Sequence, residues 1–240
     1  VLEILYRDEQ LVAIHKPTGL LVHRSNLDRQ ETRFAVQLLR DQIGQHVFPA
    51  HRLDKGTSGI LLFALNSDMA RALGHQFEAG TIGKTYRAIV RGWPPEAGRI
   101  DHPLSRQFDD HGRPRTEAAL QALPAQTDFR RLATAEIDAC VDRYPHARYA
   151  LVELTPLTGR QHQLRRHLKH IAHPIIGDAT HGKGRHNRFF QERFACQRLL
   201  LACTELRLQH PLTNQLLRIE APPAADFAAV ALALGWPPTD

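Results

Sequence analysis

His51-Arg52-Leu53-Asp54-Lys55-Gly56-Thr57-Ser58-Gly59, continuing into Ile60-Leu61-Leu62-Phe63-Ala64-Leu65, places a carboxylate among cations and small hydrogen-bonding residues just before an apolar run. The run, residues 59–65, has the length and continuity of a buried strand. Residues 68–77 follow with the spacing of an amphipathic helix able to cover a sheet. Upstream, residues 2–6 and 11–15 are short runs rich in β-formers, and Arg7-Asp8-Glu9-Gln10 joins them as a hairpin. Lys16-Pro17-Thr18-Gly19 then ends the second strand. Residues 32–43 carry helical spacing, with Phe34, Leu38 and Leu39 on one side and Gly44 as a stop.

Downstream of the apolar run, residues 86–90, 149–154 and 199–208 read as strands, 216–219 as an edge strand and 224–234 as a terminal helix. Residues 94–124 carry several prolines and glycines and read as a long loop, with 116–123 forming a strand at its end. Strands in runs with occasional helices predict an α+β fold whose sheet is mixed and mainly antiparallel, flanked by helices and loops. No internal repeat or linker divides the chain, so residues 1–240 are expected to form one domain.

The chain has 42% hydrophobic residues, and 31 Lys and Arg against 25 Asp and Glu leave a formal charge of +6. Much of that excess is local: residues 155–198 hold nine Lys or Arg and two acids. Within residues 159–171, Leu164, Leu168 and Ile171 share a helical face, while His162, Arg166 and Lys169 lie away from it, free to meet phosphates. A solvated face is the plainer reading of one such helix. The further basic loop, residues 183–188, favours a nucleic-acid surface. Cys140, Cys196 and Cys203 are odd in number and show no CxxC spacing, which suits reduced thiols. No run of eighteen apolar residues occurs, and the start lacks a signal-peptide pattern, so a cytoplasmic protein without a membrane anchor is expected.

An Asp at position 54 serves either as a turn residue or as a catalyst, and composition alone favours the turn. The order of motifs adds weight to the second reading. His51-Arg52-Leu53-Asp54 with Thr57-Ser58-Gly59 resembles the signature loop of RluA-type pseudouridine synthases. Lys16-Pro17-Thr18-Gly19 with His23 resembles that family's first motif, and Lys84-Thr85-Tyr86 its lysine and tyrosine strand. Thr158-Gly159-Arg160-Gln161-His162-Gln163-Leu164-Arg165 resembles its third motif, and Pro174-Ile175-Ile176-Gly177-Asp178 completes the order. The matches run from about residue 2 to about residue 220.

The resemblance implies a single catalytic domain without an S4-like N-terminal module, acting on RNA without a cofactor or metal. It makes Asp54 the nucleophile, Arg165 the cation that pairs with it, and Tyr86 the ring that stacks on an extruded uracil and helps remove the C5 proton. Arg52 supports the site by occupying the gap or holding phosphate. Arg160, His162, Arg166, Lys169, Lys183 and Arg185 are the expected RNA-binding residues. The start of the chain and residues 41–48 resemble members that modify uridine 65 of tRNA, so tRNA is the expected partner, ribosomal RNA the alternative, and a monomer the expected state. One departure stands out: Ala202-Cys203 occupies the place where relatives often carry His-Ala.

Two other classes compete. Metal-dependent hydrolysis would use His162, His167, His170 and His173, but no HExxH occurs and no evident carboxylate completes a ligand set. A non-catalytic RNA-binding protein would need only the basic segment. Neither GxxxxGK[ST] nor GxGxxG is found, which disfavours ATP and nicotinamide cofactors.

Overall fold

A computed structural model describes residues 1–23, 32–105 and 121–237. The strand that follows the Asp54 turn, β4 (Ser58–Ala64), is buried at every residue. The strand has apolar neighbours on both faces, which is why its sequence runs apolar without alternation. On one side β4 pairs antiparallel with β2 (Leu11–Lys16), and β2 in turn with β1 (Glu3–Arg7), while the short β3 (Phe48–Pro49) joins the opposite edge of β4 at Phe63 and Ala64. On the other side β4 meets β9 (Leu201–Gln209) in parallel. The sheet continues antiparallel through β5 (Gly83–Arg91), β8 (Ala147–Pro156), β7 (Gln126–Ile137) and β6 (Ala97–Asp101), and β10 (Leu216–Glu220) pairs with β9. The ten described strands thus form the expected mixed, mainly antiparallel sheet.

Alternation along β5 and β8 sorts the core into two layers. Tyr86, Ala88 and Val90 join Ala150, Val152 and Leu154 in one cluster, which also takes in Leu39 of α1 (Ala35–Ile43), Leu73 of α2 (Ser67–Glu78) and Leu168 of α3 (Gln163–His170). Ile89, Tyr149 and Leu151 join the other, with Phe190 of α4 (Gly184–Phe194) and Phe227 of α5 (Ala225–Ala233). Both faces of the sheet are therefore covered.

Several sequence expectations shift. Helix α1 starts at Ala35, three residues after the expected Thr32, because Phe34 is still extended and bridges Leu21. It ends as expected at Gly44, whose left-handed backbone directs its N–H to the Arg40 carbonyl. Helix α3 is shorter than the spacing implied, starting at Gln163. Of residues 183–188, read as a loop, Lys183 is the extended residue before α4 and 184–188 form its start, where His186 and Phe190 are buried one turn apart. Strands β6 and β7 fall where a loop was expected or where no element was assigned. They alternate weakly, pair through ladders that bury Ile100, Thr127 and Phe129, and carry exposed cross-strand charge pairs such as Arg99 with Asp128 and Arg130 with Glu153. Of the strand expected at 116–123, residues 116–120 lie outside the described residues, and Leu123 makes an isolated bridge to Leu104.

The parallel contact of β4 with β9 depends on Gly59. Its φ is +104°, and a Cβ there would lie 2.0 Å from the Cys203 carbonyl oxygen. Gly59→Ala is expected to lower the unfolding free energy by at least about 1–3 kcal/mol, the cost of forcing atoms into a packed site, with left-handed strain added. Urea unfolding monitored by circular dichroism checks this.

Candidate active site

The turn before β4 is built from both of its neighbours. Thr57 N–H donates to the Asp54 carbonyl, Gly19 N–H to the Lys55 carbonyl and the Thr18 hydroxyl to the Gly56 carbonyl, at 2.8–3.0 Å. Lys16, wholly buried, directs its ammonium at the carbonyls of Pro17, Leu20 and Lys55. Burial pushes the Lys16 pKa down to about 7, against the pull of the Asp54 charge. Three carbonyl acceptors satisfy all three donors of its protonated form. The Lys-Pro-Thr-Gly motif is thus the clamp of the Asp54 turn. From the other side, Arg198 donates to the Ser58 hydroxyl at 2.6 Å and to Asp226 at 2.8 Å.

Asp54 faces α3. Arg165 donates from Nη1 to Asp54 Oδ2 at 2.9 Å, and from Nε and Nη2 to the two oxygens of Asp178 at 2.7 and 2.8 Å. The guanidinium fork thereby serves two carboxylates, bidentate to one and monodentate to the other. Asp178 is 1% exposed at its side chain, whereas Asp54 is 32% exposed, so the inner pair is structural and the outer carboxylate is open to solvent. Burial alone would raise the Asp178 pKa. The Arg165 hydrogen bonds and the backbone N–H groups of His181 and Thr180 overcome this and hold it below its ordinary range. Burial likewise opposes the Arg165 charge, but its two carboxylates raise its pKa.

Tyr86 is buried in β5, opposite Cys203 of β9. Burial, Cys203 and Asp54 all push the phenol pKa up, and burial pushes the Cys203 thiol to about 12. The Ala202-Cys203 departure therefore lies directly against Tyr86.

His162 precedes α3 in a left-handed backbone conformation, φ 53° and ψ 29°. Its Nδ1 lies 3.1 Å from His181 Nε2, and its Nε2 lies 3.9 Å from Asp54 Oδ2. Gln163 pins this corner: its amide donates to the Gln126 carbonyl and the Thr127 hydroxyl, and its Oε1 accepts from Arg160 N–H and the Thr158 hydroxyl.

The remaining expected residues divide. Arg160 is exposed and directs only its Nε to the Pro124 carbonyl, whereas the half-buried Arg166 is tied to the Ser105 carbonyl as part of the local scaffold. Arg52, Lys169, Lys183 and Arg185 are exposed, and Arg185 reaches Asp142 at 3.5 Å. The four histidines suggested as metal ligands have other partners. His167 meets the Thr127 hydroxyl and the His102 carbonyl, His173 the Arg91 carbonyl, and His170 stacks on His102. Among the described residues, no group of three or more His, Cys, Asp or Glu side chains is arranged to hold a metal ion.

Sequence reasoning assigned no role to Asp178 or His181. Asp178 was visible as the end of the Pro174-Ile175-Ile176-Gly177-Asp178 motif, but its place beneath Arg165 arises from the chain folding back after α3. Gly177 permits that return: its φ is +80°, and a Cβ there would meet the Arg198 carbonyl oxygen at 1.8 Å.

Residues 10–170 match the family model described as RNA pseudouridylate synthase. The chain is 51% identical over 98% of its length to a protein of Pectobacterium carotovorum named tRNA pseudouridine synthase C, of which it spans 63%. It is 49% identical to a Vibrio cholerae protein of the same name, covering 98% of this chain and 97% of that one. Among solved structures, human RNA Pseudouridylate Synthase Domain Containing 4 superposes with a TM-score of 0.70 at 25% identity, covering 97% of this chain and 93% of that one. The human Domain Containing 1 protein gives 0.69 at 27% identity, with coverages of 92% and 83%. The chain belongs to the RNA pseudouridylate synthase family.

Two measurements test the site's energetics. Asp178→Asn leaves Arg165 buried with one partner short, and is expected to cost about 3–5 kcal/mol of stability. Asp54→Asn, at the solvent-facing end of the same fork, should cost less; urea midpoints compare the two. His181 and His186 are buried, and burial lowers each pKa to about 4. Unfolded histidines titrate near 6.5, so between roughly pH 6.5 and 4 the unfolded chain binds more protons. Stability should fall as pH drops through that window, and His186→Gln should shallow the slope in urea unfolding at successive pH values.

Proposed function

We propose that this chain converts one uridine of tRNA to pseudouridine, most specifically uridine 65, with Asp54 acting on a base turned out of its stack. The observation that carries the chemistry is the Arg165 fork, which keeps a solvent-reachable carboxylate oriented at 2.9 Å. The names of the close relatives support tRNA as the substrate. The choice of uridine 65 rests on the likeness of residues 41–48 and of the chain's start to members with that target.

The reaction breaks the C1′–N1 bond, turns the uracil and joins C5 to C1′. The C5 proton leaves and a proton ends on N1, so atoms balance without a redox partner or cofactor. An ionised Asp54 can attack C1′, add to the uracil ring or remove the C2′ proton, and each route uses the same held carboxylate. Tyr86 lines the base and takes part in C5 proton removal. Its raised pKa keeps the phenol protonated in the resting site, so its oxygen can take the C5 proton only once its own proton has passed to the uracil, whose N1 ends protonated. Unstacking the target costs roughly a few kcal/mol, which phosphate contacts must offset. Arg52, Lys169, Lys183 and Arg185 are exposed and can supply them. The reading also takes the chain as one catalytic unit, a monomer working in the cytoplasm; among the described residues, no helix is long and apolar enough to cross a membrane.

Purified protein with EDTA and no added cofactor is expected to convert a single acceptor-side uridine in unmodified tRNA, mapped at nucleotide resolution. Asp54→Asn should bind that tRNA within about threefold of wild type and convert none of it. Conversion confined to ribosomal RNA would reject the tRNA assignment, and binding without conversion would reject the enzyme.

A further inference from the structure

His162 is the polar side chain that the Arg165 fork does not explain. Its backbone occupies the left-handed region, which costs a residue with a Cβ about 1–2 kcal/mol, and such strain persists where the surroundings enforce it. The Gln163 network and the His181 contact are those surroundings, and together they aim the ring at Asp54.

The protons on this pair can be assigned. Burial, together with the charges of Arg165 and Arg166, outweighs Asp54 and Asp178 and keeps His162 neutral; burial, with Arg165, His162 and Lys169, does the same for His181. One ring must donate across the 3.1 Å contact. Were His162 Nδ1 the donor, its Nε2 lone pair would face the Asp54 carboxylate, two acceptors opposed. The favourable arrangement has His181 Nε2–H donating to His162 Nδ1, leaving His162 Nε2–H directed at Asp54 Oδ2.

That separation, 3.9 Å, is too long for a direct hydrogen bond. It suits one bridging atom, since two bonds of about 2.8 Å would meet there at about a right angle. The bridge must accept from the imidazole and donate to the carboxylate, whose Oδ2 keeps one lone pair after taking Arg165. Both flanking side chains are 32% exposed, so the gap is open to a substrate. On a uridine within an RNA strand, the ring carbonyls only accept, N3–H only donates, and the 3′ and 5′ oxygens are esterified. The 2′-hydroxyl does both, and it is bonded to the carbon next to C1′.

We infer that His162, oriented by His181, reads the 2′-hydroxyl of the target ribose together with Asp54, and so selects RNA over DNA at the reacting nucleotide. This rests on the proposed isomerase reading. His162 donates one hydrogen bond, Asp54 accepts the other, and no bond is made or broken by the imidazole.

The test is single-turnover conversion of tRNA assembled with either uridine or 2′-deoxyuridine at the target, by wild type, His162→Asn and His162→Gln. Asn tolerates the left-handed backbone but its amide stops short of the gap, whereas Gln reaches further. Any intrinsic effect of the deoxy sugar is common to all three proteins and cancels in the comparison. The ratio of uridine to 2′-deoxyuridine rates is expected to fall about five- to tenfold from wild type to His162→Asn, the value of one net hydrogen bond. His162→Gln should recover part of that ratio. A His162→Asn ratio equal to wild type, or equal ratios in the two variants, overturns the inference while leaving the isomerase intact. Absence of conversion by wild type on the all-ribose tRNA overturns both.

Discussion

A single guanidinium holds two carboxylates, and the site is organised around it. Arg165 is buried against Asp178 and only its outer nitrogen meets Asp54. The inner pair fixes the plane of the fork, so the outer bond has direction as well as charge. Removing ions from water is costly, and the inner pair is tolerable because Asp178 also accepts two backbone N–H bonds. The loop that supplies those N–H groups also carries His181, and through it orients His162. One short segment after α3 thus sets both neighbours of the Asp54 carboxylate.

The architecture supplies the other half of the site. Lys16 and Thr18, at the end of β2, hold the carbonyls of the Asp54 turn, and Arg198, just before β9, holds Ser58 at its far end. Side chains that look in sequence like a nucleic-acid surface are therefore partly internal fastenings. Of the basic excess in residues 155–198, Arg165 and Arg198 are buried and paired, so the exposed positive surface is smaller than the count implies.

What could be read from sequence follows a physical division. Strands with two buried faces, such as β4, announce themselves through uninterrupted apolar residues, and the motifs holding Asp54, Tyr86 and Arg165 appear in recognisable order. Strand β7 did not, because it is held by its ladders to β6 and β8, and the charged residues it exposes resemble a loop. Helix α4 was hidden for a related reason: its basic start masks His186 and Phe190, whose burial is decided by Tyr149 and the other face of the sheet. Asp178 and His181 could not be assigned because their partners lie 13 and 19 residues earlier, across a reversal that no local pattern encodes.

The parallel contact of β4 with β9 joins Ser58 and Gly59 to Ala202 and Cys203, and Arg165 reaches Asp54 across 111 positions. On the ribosome, the Asp54 turn emerges early, with Lys16 and β2 already made, yet its carboxylate has no hydrogen-bonding cation until α3 appears, and the β9 edge of its far end stays open until β9 does. A partly made chain therefore carries its key carboxylate without the frame that gives it direction. Competence waits for segments made more than a hundred residues after the turn itself.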